Sequence, residues 1–257
     1  MADVPPTTWR AEQICAHRGA SAHYPENTAI AFEAAAHSGA GWIETDVQLL
    51  SDGELVVFHD ETLGRTAVGS APISSLSWSD VACLDIGSWK HQRFCSERPM
   101  TCQQLIQWQL DEQDRPGIIW EAKCPSDEVA ATATAAALAE RISAYSTHRC
   151  IVSSFDRTFL QAMRALLPQL PLALIAEVLP ADWLEFCEQY DIAGVHLDGQ
   201  QLDEPTAQTV LVCDRQLRCY TINTVSLAKQ LLAMGVEMVM TDVPDDFAVS
   251  QERIDSD

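Results

Sequence analysis

Basic residues are scarce in this chain: 16 Lys plus Arg stand against 37 Asp plus Glu, a net charge of −21. A field of that sign repels nucleic acid and anionic membrane surfaces, so a polyanionic partner is disfavoured. A small anion is not, because one cation or a few local basic groups dominate at contact range. Long apolar runs are missing too, and nothing approaches the ~20 consecutive apolar residues that cross a bilayer. The opening stretch MADVPPTTWRAEQ lacks the basic flank and apolar core of a secretion signal. Nine cysteines, scattered from Cys15 to Cys219, form no CxxC pair, which fits neither a zinc cluster nor a disulfide framework. The expectation is a cytoplasmic chain with no nucleic-acid partner and no stable membrane association.

Apolar residues make up 47% of the 257 and charged residues 21%, enough for a substantial core. Short apolar runs alternate with longer amphipathic or Ala-rich stretches, the rhythm of repeated βα units around a parallel sheet. Strands are predicted at Ile14 to His17, Trp42 to Leu49, Gly117 to Glu121, Cys150 to Ser153, Pro171 to Ala176, Ala193 to Leu197, Leu217 to Thr221 and Glu237 to Thr241. Leu55 to Phe58 reads as a hairpin extension of the second, across the Ser51-Asp52-Gly53 turn. Asn27 is read as the cap of a first helix that runs through Ser38 and stops at Gly39.

Eight principal strands over about 250 residues predict a single α/β domain, a (β/α)8 barrel of the TIM type. An open doubly wound sheet is disfavoured, since no GxGxxG follows the first strand. Residues 60–99, rich in Ser, Gly and Trp, are too long for an ordinary connection and are read as an insertion covering the active-site mouth.

Active sites of such barrels form at the C-terminal strand ends. There the sequence places His17-Arg18-Gly19, Glu44-Thr45-Asp46, His59-Asp60 and Glu121-Ala122-Lys123. Side chains alternate along a strand, so Glu44 and Asp46 share one face. Two confined anions raise each other's pKa unless a cation compensates them, and Glu121 can add a third oxygen. An all-oxygen set suits Mg²⁺ or Ca²⁺ better than zinc. The bland alternative is a pair of solvated strand carboxylates.

Histidine is the side chain that titrates near neutrality, so His17 and His59 can take a proton from an attacking hydroxyl and give one to a leaving oxygen. A lone histidine is more often structural. That reading is given to His23, His37, His91, His148 and His196, the last also near a strand end. Arg18 and Lys123 can contact phosphate oxygens, or balance the neighbouring carboxylates, or do both.

The stretches AHRGASAHYPENT and WIETDVQLLSDGELVVFHD, followed by EAK, SSF, CYTIN and GVEMVMTDVPD, resemble the glycerophosphodiester phosphodiesterase family. The resemblance spans nearly the whole chain. It implies a TIM-type barrel, one bound divalent cation, Mg²⁺ or Ca²⁺, and hydrolysis of small-molecule glycerophosphodiesters to sn-glycerol 3-phosphate and an alcohol. By the same resemblance, His17 and His59 are the acid-base pair and Glu44, Asp46 and Glu121 the metal ligands. Arg18, Lys123, Phe155 and Tyr220 are substrate contacts. Tyr220 stands where many relatives carry Trp.

Two rival functions remain at this level. One is a lysophospholipase D or similar phospholipase-like phosphodiesterase, which needs membrane contact that the charge opposes. The other is a non-catalytic phosphate-binding barrel, which has no use for paired proton-transfer groups.

Overall fold

A computed structural model describes residues 9–124, 127–144 and 149–247. The reading of His148 lies outside the described residues. Eight parallel strands close into a barrel: β1 (Ile14–His17), β2 (Trp42–Leu49), β4 (Gly117–Ala122), β5 (Cys150–Ser154), β6 (Leu172–Ala176), β7 (Gly194–Asp198), β8 (Gln216–Tyr220) and β9 (Met238–Thr241). β1 closes the ring by pairing with both β2 and β9. The extra strand, β3 (Leu55–Val57), runs antiparallel to β2. The expected (β/α)8 barrel of the TIM type is what the chain forms.

Helices α1 (Ala29–His37), α3 (Cys102–Leu110), α4 (Glu128–Ile142), α5 (Arg157–Leu166), α6 (Trp183–Gln189), α7 (Glu204–Leu211) and α8 (Val225–Ala233) connect the strands. Their starts follow local chemistry. Thr101, Asp127, Asp156 and Asp203 each accept a backbone N–H of the first turn, satisfying donors that a helix N-terminus leaves unpaired.

Period-two alternation separates two cores. Outward residues such as Ile14, Ile43, Val47, Ile118, Trp120 and Val152 pack with the helices into the main apolar cluster. Inward residues Cys15, Trp42, Ile119, Ile151, Ala173, Met238 and Met240 form a smaller plug inside the barrel. Each large side chain buried in the outer layer stabilises by about 1.5–3 kcal/mol. The outer layer therefore carries the fold, and the inner cylinder can hold polar groups at its C-terminal end. Gly117 lets the Trp42 ring into that cylinder, since a Cβ there would lie 2.5 Å from it.

Between β3 and α3 the chain runs through residues 60–99 with one short helix, α2 (Trp78–Val81), and 3-10 turns at Ile73–Ser75 and Gln92–Phe94. The segment has its own apolar cluster, in which Leu63, Ala67, Ile73, Val81 and Ile86 pack on Leu50, Val56 and Phe58 of the hairpin. Burial of these side chains gives an irregular stretch a defined shape.

Candidate active site

β2 and β4 are in register with Asp46 opposite Glu121, so Glu44, Asp46 and Glu121 point into the barrel together. Each offers a carboxylate oxygen within 4.8 Å of the others, and all three residues are buried. Two cations reach into this cluster. Lys123 Nζ bonds to Glu121 and lies 3.2 Å from Asp46 Oδ1. Arg18 Nε lies 3.2 Å from Asp46 Oδ2.

The three carboxyls do not respond alike. Burial, then the charges of Asp46 and Glu121, push Glu44 well above the usual carboxylate range. Burial and Asp46 likewise raise Glu121. Burial also pushes Asp46 upward, but Arg18, Lys123, His59 and the Asn27 hydrogen bond outweigh it, and its pKa lies well below the usual range. The sequence reading lets a cation offset the mutual rise of Glu44 and Asp46, and Asp46, which sits between Arg18 and Lys123, is the carboxyl so offset.

Asn27 is a correction to the sequence reading. Thr28 occupies the N-cap of α1 and accepts from Ala31 N. Asn27, at φ 57°, turns inward, donating to Asp46 Oδ2 at 2.8 Å and accepting from Thr45 Oγ1 at 2.8 Å. Arg18 (φ 57°) and Gly19 (φ 82°) are also left-handed. This bend brings Arg18 N to the Glu44 carbonyl at 2.8 Å and to Glu44 Oε2 at 3.2 Å.

Each imidazole has a carboxylate behind it. His17 Nδ1 lies 2.7 Å from Asp242 Oδ1, and Asp242 also accepts from Ser21 at 2.9 Å and Asn223 at 2.7 Å. Burial pushes the Asp242 carboxyl up, but the His17 hydrogen bond and charge, with those other donors, hold it well below the usual range. His59 Nδ1 lies 2.8 Å from Asp60 Oδ1. An ionised carboxylate accepts only, so both rings carry the Nδ1 proton and leave Nε2 to the cavity. His17 Nε2 is 3.8 Å from Glu44 Oε2.

One cavity of about 250 Å³ is lined by His17, Arg18, Glu44, His59, Glu121 and Lys123, with Phe155 and Tyr220 on its wall. Asp46, fully buried, lies behind this surface. Phe155 is 49% exposed, 6.4 Å from the Tyr220 ring in an edge-on contact, with Lys123 Nζ 5.9 Å from its centre. Tyr220 donates its hydroxyl to Ala176 O at 3.1 Å. His59, Lys123 and Phe155 also border a second groove of about 770 Å³, lined in addition by Glu61, Pro72 and Ser74. His196 is fully enclosed, 3.4 Å from Arg218, and burial holds its ring well below the ordinary value.

The model of the glycerophosphoryl diester phosphodiesterase family matches residues 17–246. The chain belongs to that family. Membership makes it a phosphodiester hydrolase. The glycerophosphodiester phosphodiesterase of Bacillus altitudinis is 29% identical over 237 residues, 91% of this chain and 95% of that relative. That of Caldanaerobacter subterraneus is 28% identical over 233 residues, 90% of this chain and 94% of the relative. Among solved structures, an Oleispira antarctica phosphodiesterase in complex with the product sn-glycerol-3-phosphate superposes with a TM-score of 0.85. It is 31% identical, covering 91% of this chain and 94% of that one.

The carboxylate cluster fits a divalent cation on its own chemistry. Glu44 Oε1 is buried and accepts no hydrogen bond, a costly arrangement for a carboxylate oxygen unless a cation faces it. Sequence reasoning missed the supporting partners. Asp242 lies 225 positions from His17, and Asn27 carried a helix-cap signal that concealed its inward role. Asp60 adjoins His59 and was visible only as a neighbour. Glu26 lies in the AHRGASAHYPENT stretch but was given no role, and Arg65 carried no signal of a functional part.

Proposed function

We propose that this enzyme hydrolyses glycerophosphodiesters to sn-glycerol 3-phosphate and an alcohol, with His17 and His59 as the acid-base pair. The observation that carries the reading is the pair of imidazoles, each Nδ1 on a carboxylate, at one cavity with three clustered carboxylates. The product named in the Oleispira antarctica complex supports the same substrate class.

Glu44, Asp46 and Glu121 would hold one Mg²⁺ or Ca²⁺, both of which take oxygen ligands. Such an ion supplies Lewis acidity and positive charge where phosphoryl charge develops. Arg18 and Lys123 contact the phosphate oxygens, Arg18 through its planar fork and Lys123 as a point charge. Asp242 and Asp60 orient the rings so that each Nε2 can take or deliver a proton. Phe155 and Tyr220 wall the glycerol side, and the groove lined by Glu61, Pro72 and Ser74 takes the alcohol, with the insertion capping the mouth.

Nine free cysteines support a reducing cytoplasm as the setting. Among the described residues no helix is long and apolar enough to cross a membrane, in keeping with a small diffusible substrate.

The test is release of glycerol 3-phosphate from a panel of glycerophosphodiesters, with chelator and metal add-back. The expected result is turnover that chelation abolishes and Mg²⁺ or Ca²⁺ restores. A flat response across the panel contradicts the reading.

A further inference from the structure

Arg65 belongs to the insertion, outside the cavity lining, yet it touches the supports of both halves of the site. Its Nε donates to Asp60 Oδ2 and its Nη2 to Asp60 Oδ1, each at 2.8 Å. Its Nη1 donates to Glu26 Oε2 at 2.6 Å and its Nη2 to Glu26 Oε1 at 2.7 Å. Asp60 is the carboxylate behind His59. Glu26 accepts from Arg18 Nη1 at 2.9 Å. One guanidinium therefore joins His59 to Arg18 through two carboxylates.

The segment that presents Arg65 is itself built. Leu63, buried in the insertion's own cluster, donates its N–H to Ala71 O at 2.9 Å, and Gly64 N donates to Ala67 O at 3.0 Å. Gly64 has φ 141°, a conformation that strains other residues. Trp89 stands beside the guanidinium, its ring centre 5.8 Å from Arg65 Cζ. An exposed ion pair usually contributes little to stability, and the Arg65 side chain is 44% exposed. Its partners differ: Glu26 is 11% and Asp60 21% exposed, both are engaged in two-point contacts, and both already hold a group of the site. Planar two-point contacts fix orientation as well as distance.

We propose that Arg65 is a positioning residue that keeps the proton-transfer nitrogen of His59 in register with the phosphate-contacting fork of Arg18. The insertion thereby becomes part of the catalytic apparatus. This rests on the roles assigned to His59 and Arg18 under Proposed function.

The experiment compares the full-length chain, supplied with Mg²⁺ or Ca²⁺, with Arg65→Ala and Arg65→Lys on glycerophosphocholine. Misplacement by about 1 Å can cost about a hundredfold in rate. The expected result is a fall of at least about tenfold in kcat for Arg65→Ala, with a smaller change in KM. Arg65→Lys, a point charge in place of two forks, should remain below the unsubstituted chain. Methylguanidine in solution should restore part of the Arg65→Ala activity and none of that of His59→Ala. A kcat within twofold of the unsubstituted chain overturns the proposal, as does a loss that tracks a fall in Tm and that methylguanidine does not relieve.

Nitrogen-15 imidazole spectra provide an arm independent of turnover. His59 should be the Nδ1–H tautomer in the unsubstituted chain and a mixture in Arg65→Ala. An unchanged tautomer overturns the Arg65 role, whereas absent turnover in the unsubstituted chain counts against the functional reading and leaves the spectra to decide on Arg65.

Discussion

Each imidazole at the cavity has one nitrogen committed to a carboxylate, and the division of labour follows from which groups share an oxygen cluster. Glu44 and Asp46 belong to the carboxylate cluster, while His59 is tied to Asp60 instead. Glu44→Ala or Asp46→Ala should therefore abolish divalent-cation binding in calorimetric titration and, with it, turnover, while leaving the barrel folded. His59→Ala should keep the cation affinity and lose about 10²–10⁴-fold in rate, the usual contribution of a proton-transfer group. Normal cation binding by Glu44→Ala would show that the ligand assignment is wrong. At this scale the sequence was informative where chemistry is local. His17 and Glu121 fall at strand ends, His59 just past one, and Glu44 and Asp46 along β2, where alternation says that the two carboxylates share a face. Asp242 supports His17 from the other end of the chain, a proximity that only barrel closure between β1 and β9 creates. The opposite behaviour of Glu44 and Asp46 was also hidden, because it depends on where Arg18 and Lys123 place their charges.

Among the elements, the turn after β1 carries the tightest constraint. Gly19 has φ 82°, and a Cβ there would come within 2.7 Å of the Ala31 backbone in α1. Gly19→Ala should destabilise by about 2–4 kcal/mol through left-handed strain and overpacking, measured by urea denaturation. Because Arg18 precedes it, activity should fall as well. A loss under about 0.5 kcal/mol, the scale of ordinary surface substitutions, would contradict this account of the bend. The strands were readable since their apolar runs are short and bounded by turn residues. Their ends moved by a residue or so: β4 extends to Ala122 and β5 to Ser154. The start of α1 was misread because Asn27 and Thr28 are both competent caps, and the competition is decided by Asp46, which draws Asn27 inward. The shape of residues 60–99 was not readable, since their short helix and turns arise from packing on the hairpin instead of from any period in the sequence.

For the molecule as a whole, acidity and the site act on stability together. Glu26, Asp60 and Asp242 are held below their ordinary pKa against the pull of burial, by Arg65 and Arg18 for Glu26, by Arg65 and His59 for Asp60, and by His17, Asn223 and Ser21 for Asp242. A group depressed on folding contributes stability that is present above its unfolded pKa, about 4, and lost as pH falls through the folded value. Glu44 and Glu121, raised chiefly by burial, act in the opposite sense: their contribution is present below about pH 4 and lost as pH rises through the folded value. Self-repulsion at a net charge of −21 adds to that loss. In chelator, the urea midpoint should therefore peak on the mildly acidic side of neutrality and fall on both flanks. A midpoint that climbs steadily to about pH 3, below those unfolded values, would contradict the ion pairs described here.

The convergence of β2 and β4 carboxylates on one cation, beside two imidazoles, is the claim on which the chemistry turns. A crystal soaked in Mn²⁺ tests it most directly through the anomalous difference map. The account predicts one strong peak bounded by Glu44, Asp46 and Glu121, at the cavity that His17 and His59 share. A peak elsewhere in the molecule, or none at that cluster, would contradict it.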